Sequence, residues 1–215
     1  MNNEKINQEV NIKVDSVVLK GILTIPLNPI GLVVFAHGSG SSHLSPRNNY
    51  VASVLQENHL ATLLFDLLTE DEDETYENRF NLELITDRLV MATEWAEKQE
   101  KLKDLPFGYF GASTGTPAAL RAAIRLEDKI KAIVSRSGRP DLIGSEIAIV
   151  KQPVLFIVGG QDTVVKDLNT QSYDMIPGTK LILEIRGANH LFEEPGTLEQ
   201  AAKAASDWFE QYLCP

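Results

Sequence analysis

The sequence predicts an α/β fold: an open, mostly parallel sheet of about eight strands, entered through an N-terminal antiparallel hairpin and covered by helices on both faces. Three observations predict it. Short apolar runs without alternation recur along the chain, as they do in strands covered on both sides. Helical stretches of ten to twenty residues separate them, which calls for parallel pairing through right-handed crossovers. No repeat, low-complexity tract or Pro/Gly-rich linker divides the 215 residues, so residues 1–215 are expected to form a single domain.

The elements follow in order. From Val10 to Pro26 apolar and polar residues alternate, with a break at Asp15 and Ser16, which is the pattern of an antiparallel hairpin. The run Leu32 to Ala36 predicts the first doubly covered strand, and it stops at the glycine- and serine-rich His37-Gly38-Ser39-Gly40-Ser41-Ser42. Ser45 followed by Pro46 marks a helix start, since serine caps and proline tolerates the first helical position, and this helix is expected to reach about Asn58. Residues 61–67 predict a second buried strand. The acidic stretch 69–77 reads as a solvated loop. Leu82, Ile85, Leu89, Ala92 and Trp95 recur at helical steps within an amphipathic helix over 80–99. Strands are then expected at 105–110, 131–138, 153–160 and 180–185, with helices at 116–126, 164–175 and 196–213.

Composition excludes several classes. A net charge of −10 disfavours nucleic acid and anionic membrane surfaces as partners. The one cysteine, Cys214, leaves no internal disulfide to form and reads as an exposed bystander. The opening stretch has no basic segment followed by an apolar one, and no later run approaches membrane-spanning length, so a cytoplasmic protein is expected. No cofactor and no metal is expected, and the sequence is silent on oligomeric state.

Chemistry concentrates at Gly111-Ala112-Ser113-Thr114-Gly115, a G-x-S-x-G motif. At glycine usage of about 7% such a match arises by chance in roughly one chain in fifteen of this length. Its position decides: a buried strand runs into it and an alanine-rich helix leaves it, the strand-turn-helix setting that presents a nucleophile on a sharp turn. The flanking glycines remove β-carbons that would collide with the strand and helix. A glycine-rich connector without chemistry is the alternative. Asp162 follows a buried strand, and His190 follows the last one. The order Ser, Asp, His matches a nucleophile, the carboxylate that orients a base, and the base itself. Among the other histidines, His37 lies in an active-site loop and is the alternative base, but it is expected to hold its loop by bonding backbone, and His43 and His59 are expected to be solvated. Asp141 is a rival acid. Backbone N–H groups of Ser39 and Thr114 are the expected oxyanion donors. The loop at 37–42 would also suit a phosphate, but no G-K-[ST] or G-x-G-x-x-G completes it.

At FAHGSGSSHLSPRN, LLFDLLTEDEDE, GYFGASTGTPAAL, SRSGRPDL, VGGQD and NHLFEEPGTLE the chain resembles the dienelactone hydrolase-like branch of the α/β-hydrolases, and the likeness covers nearly all of it. The resemblance implies the α/β-hydrolase fold, a Ser113-Asp162-His190 triad and a serine hydrolase acting on a small ester, lactone or thioester. Some related chains carry a fused phosphoribosyltransferase domain, which is not seen in these residues. Dienelactone hydrolases proper look like cysteine enzymes, so Ser113 counts against dienelactone itself as the substrate. The stretch between Ser135 and Pro153 is too short for a separate cap domain, which suits small or exposed acyl groups. Arg136 and Arg139 stand at a strand's carboxyl end, where open α/β sheets bind ligands. They are expected either to hold a substrate carboxylate or phosphate or to brace loops against Asp141, Glu193 or Glu194. A non-catalytic protein keeping the fold, and an acyltransferase or peptidase, are the remaining alternatives.

Overall fold

A computed structural model describes residues 5–214; Met1 to Glu4, the start of the stretch read for a leader, lie outside the described residues. Eight strands form one sheet: β1 (Ile6–Val14), β2 (Val17–Ile25), β3 (Gly31–Ala36), β4 (Leu60–Phe65), β5 (Phe107–Ala112), β6 (Ile130–Arg136), β7 (Val154–Gly159) and β8 (Lys180–Ile185). Their spatial order is β1-β2-β4-β3-β5-β6-β7-β8. β2 pairs antiparallel with both β1 and β4, and every other pairing is parallel. Every residue of β3, β4, β5 and β7 is buried, which is what their unbroken apolar runs require.

The described residues form six α-helices: α1 (Pro46–Glu57), α2 (Glu70–Asp73), α3 (Leu82–Glu97), α4 (Gly115–Leu126), α5 (Thr163–Met175) and α6 (Thr197–Leu213). Ile85, Leu89 and Ala92 of α3 and Ala118, Ala119 and Ala122 of α4 bury one face. Val51 and Leu55 of α1 and Ala201, Ala205 and Phe209 of α6 bury the other. A 3₁₀ segment over Pro140–Ile149 fills the stretch before β7, and no cap domain rises from it.

Three expectations are corrected. β1 begins at Ile6 rather than Val10, because its exposed outer half carries no apolar alternation and is fixed by pairing, Ile6 standing opposite Ile25. The acidic stretch 69–77 is not a plain loop. Thr69 and Glu72 close a capping box around α2, the Glu72 N–H donating to Thr69 Oγ1 at 3.2 Å and the Thr69 N–H to Glu72 Oε2 at 2.9 Å. Arg88 Nη2 also donates to Glu72 Oε1 at 2.8 Å, which ties this segment to α3. His43 is not solvated: its side chain is 13% exposed and its Nδ1 lies 2.8 Å from Asp66 Oδ2, at the end of β4.

The chain leaves β3 for β4 on one side and returns to β5 on the other. The sheet therefore reverses its direction of growth at β3, and the carboxyl ends of β3, β5, β6, β7 and β8 open onto one edge. Such a switch point leaves a crevice for a ligand.

Candidate active site

At the end of β5 the backbone turns sharply into α4, and Ser113 takes φ +51°, a left-handed conformation that costs a residue with a β-carbon roughly 1–2 kcal/mol. The turn is held from three sides. The Ser113 N–H donates to Arg136 O at 3.0 Å, and Ser113 O accepts from the Thr116 N–H at 3.1 Å and the Arg139 N–H at 3.2 Å. Gly115 makes the turn sterically possible, since a β-carbon there would stand 2.1 Å from Ala36 O.

The loop after β8 delivers His190 to Ser113. His190 Nε2 lies 3.3 Å from Ser113 Oγ, and Nδ1 lies 2.5 Å from Asp162 Oδ2. With the carboxylate accepting from Nδ1–H, Nε2 is left unprotonated and faces the serine hydroxyl. Asp162 occupies the N-cap of α5 but makes no side-chain capping bond, so its carboxylate is free for the histidine. The β7 and β8 loops nest because Gly159 lacks a side chain: a β-carbon there would stand 2.5 Å from the carbonyl oxygens of both Ala188 and Asn189. Asn189 is fixed in turn, its N–H donating to Glu194 Oε2 at 2.9 Å and its Nδ2 to Glu193 Oε2 at 3.3 Å. The rival acid Asp141 is engaged elsewhere.

The loop after β3 closes the other side. Gly38 packs against Ser113: a β-carbon at Gly38 would stand 3.2 Å from Ser113 Cβ. The Ser39 N–H donates to Thr114 Oγ1 at 2.7 Å, so the two residues expected to supply oxyanion donors are in contact with each other. His37 is buried beneath this loop. The Leu67 N–H donates to its Nε2 at 3.0 Å, so the ring proton is on Nδ1, which donates to Gly38 O at 2.9 Å. Burial pushes the His37 pKa below its ordinary value. The unfolded chain therefore takes up a proton near about pH 6.5 that the folded chain refuses, and stability, full above that pH, falls as the pH drops below it. Urea denaturation at about pH 7.5 and about pH 5.5 checks this: His37→Asn is expected to show a smaller loss on acidification than the parent. An equal loss in both would assign the effect to other groups.

A cavity of about 250 Å³ opens above Ser113 and His190. The two arginines separate here. Arg136 lines the cavity, whereas Arg139 does not and forms a two-pronged pair with Asp141, Nε to Oδ1 and Nη2 to Oδ2, both 2.8 Å. Arg47, Asn48, Ser41, Ser45 and Ser137 also line it, and sequence reasoning missed them as site residues. The signal was present for Arg47 and Asn48, which follow the helix-starting Ser45-Pro46 and so stand where a helix N-terminus meets the sheet's switch point.

With the fold and this geometry in hand, comparison with known proteins places the chain. Residues 31–145 match the family model described as the alpha/beta hydrolase fold. A dienelactone hydrolase from Anabaena variabilis ATCC 29413 superposes with a TM-score of 0.94 at 48% identity, over 97% of this chain and 98% of that one. The chain belongs to the α/β-hydrolase fold family, in its dienelactone hydrolase-like branch. Est1E from Butyrivibrio proteoclasticus shares the fold at 17% identity, with a TM-score of 0.82 over 94% of this chain and 98% of its own. Two Mycobacterium tuberculosis proteins, MT0597 and Rv0571c, provisionally named phosphoribosyl transferases, are each 51% identical over 208 residues, 97% of this chain but 47% of their own length. The chain thus spans about half the length of these curated relatives. No helix among the described residues is long and apolar enough to cross a membrane.

Proposed function

We propose that the chain is a serine hydrolase, a single catalytic domain that cleaves a small ester, lactone or thioester through an acyl-enzyme on Ser113. The observation that carries the reading is the alignment of Ser113 Oγ, His190 and Asp162, at 3.3 Å and 2.5 Å, on a turn strained at the serine. His190 Nε2 takes the Ser113 proton as Oγ bonds to the substrate carbonyl carbon. The bond from that carbon to the leaving oxygen or sulfur then breaks, and the leaving group takes the proton from the imidazolium. In deacylation His190 Nε2 takes a proton from water as the water oxygen bonds to the acyl carbon, and the imidazolium gives that proton to Ser113 Oγ as the bond from the acyl carbon to Oγ breaks and the acid leaves.

Oxyanion stabilisation falls to the backbone N–H groups of Ser39 and Thr114. Thr114 Oγ1 holds the Ser39 N–H in the free protein and gives it up when the carbonyl oxygen arrives, so the donor is positioned before the reaction begins. The cavity, about 250 Å³ and lined largely by serine hydroxyls and arginine, supports a small polar substrate over a long acyl chain. Action in the cytoplasm belongs to the same reading and rests on the absence of any pair of cysteines.

A fluorophosphonate probe tests the nucleophile directly. Labelling at a single peptide containing Ser113 is expected; no labelling, or labelling mapped to another residue, would remove the basis of the assignment.

A further inference from the structure

The cavity beside Ser113 holds positive charge that the protein itself does not neutralise. Of the eight arginines in the sequence, five are paired with carboxylates: Arg79 with Asp73, Arg88 with Glu72, Arg121 with Glu146, Arg125 with Glu83 and Asp87, and Arg139 with Asp141. That leaves Arg47, Arg136 and Arg186 without one among the described residues, and the first two line this one cavity. In a chain of net charge −10, carboxylates are abundant, so leaving these two cations unpaired at the same spot calls for an explanation.

Arg136 is 7% exposed and 5.6 Å above the Phe110 ring, with Nη2 donating to Asn48 Oδ1 at 3.1 Å. Its Nη1 is buried and has no partner, and neither does the buried Oγ of Ser137, the next residue, held at φ +43°. Buried polar groups are ordinarily satisfied, so two orphans on adjacent residues that both line one cavity point to a partner that is not part of the chain. Burial, with Arg47 as a second cation nearby, pushes the Arg136 pKa down to about 10. The N-terminus of α1, carrying Ser45 at its cap and Arg47 and Asn48 in its first turn, adds the positive end of a twelve-residue helix dipole. Among the described residues no Asp or Glu lines the cavity.

We infer that Arg47, Arg136, Asn48, Ser137 and the N-terminus of α1 form a subsite for a doubly charged phosphate group, so that the substrate is a small phosphorylated ester or thioester whose acyl carbon reaches Ser113. A dianion matches two unpaired cations, and its tetrahedral oxygens can take several donors at once, whereas a single carboxylate would leave one cation uncompensated. This deepens the serine hydrolase reading and rests on it for the reaction, but not for the binding.

The test separates the two. Binding of inorganic phosphate to Ser113→Ala protein is measured by calorimetry at about pH 8, where phosphate is dianionic, with acetate as the monoanionic control. Phosphate is expected to bind at least roughly tenfold more tightly than acetate. In the same background Arg47→Met and Arg136→Met should each weaken phosphate at least roughly tenfold, and Arg47→Lys should restore part of the loss. Thermal melting shows that each variant is folded. Arg47 is only partly buried, so its variants serve even where Arg136→Met does not fold. Failure of phosphate to saturate the protein, equal binding of acetate, or binding that survives Arg47→Met would each overturn the subsite. Phosphate binding to Ser113→Ala, together with a parent protein that cleaves no ester or thioester, would overturn the hydrolase reading and leave the subsite standing.

Discussion

Ser113→Ala is expected to lower kcat for a short p-nitrophenyl ester by about a millionfold, the scale on which deletion of a serine nucleophile acts in a triad. The residual turnover should come from substrate binding and the oxyanion donors, which the substitution leaves in place. His190→Ala is expected to cost nearly as much, and the double variant little more than either single one, because base and nucleophile act as one unit. The fold should tolerate the change. Ser113 donates its backbone N–H to Arg136 O whatever its side chain, and alanine keeps the φ of +51° with its strain, so the melting temperature should stay near that of the parent. Ser113→Gly relieves that strain and is expected to be more stable by about 1 kcal/mol while equally inactive. Ester turnover by Ser113→Ala within tenfold of the parent would remove Ser113 from the chemistry.

The elements that the sequence predicts most closely are those with a one-to-one link between pattern and environment. The doubly buried β3, β5 and β7 are unbroken apolar runs, and Ser45-Pro46 opens α1 where capping rules put it. Ser113, Asp162 and His190 could be picked out because each follows a strand, and parallel strands bring their carboxyl ends to one edge. What the sequence hides depends on contacts between distant residues. The half-exposed start of β1 is set by its partner strand, and the capping box at Thr69 and Glu72 is masked by the surrounding carboxylates. Arg136 and Arg139, three residues apart at and just beyond the carboxyl end of β6, look alike as letters. One meets Asp141 two residues on, and the other meets Asn48, 88 residues away, and no carboxylate. Only the folded chain shows which of them remains uncompensated.

Gly115→Ala is expected to destabilise the protein by about 3–5 kcal/mol, at the upper end of the effects of overpacking, because the obstacle is backbone and not a side chain that could rotate aside. The new β-carbon would stand 2.1 Å from Ala36 O and 2.6 Å from His37 O, so either α4 must lift away from β3 or the end of β3 must shift. For a chain of this size that corresponds to a fall in melting temperature of ~10 °C. The same displacement reaches the chemistry. Ala36 and His37 lead directly into Gly38 and Ser39, and His37 fixes that loop through Gly38 O and the Leu67 N–H, so moving them shifts the Ser39 N–H, the proposed oxyanion donor, from its place beside Thr114 Oγ1. Activity measured below the melting transition should therefore fall by a further factor of about a hundred, the effect of losing one oxyanion donor. A variant that melts within about 2 °C of the parent would show that the elbow and the loop after β3 are not packed as closely as this contact requires. A stability loss without the activity loss would instead free the Ser39 amide from its assigned role.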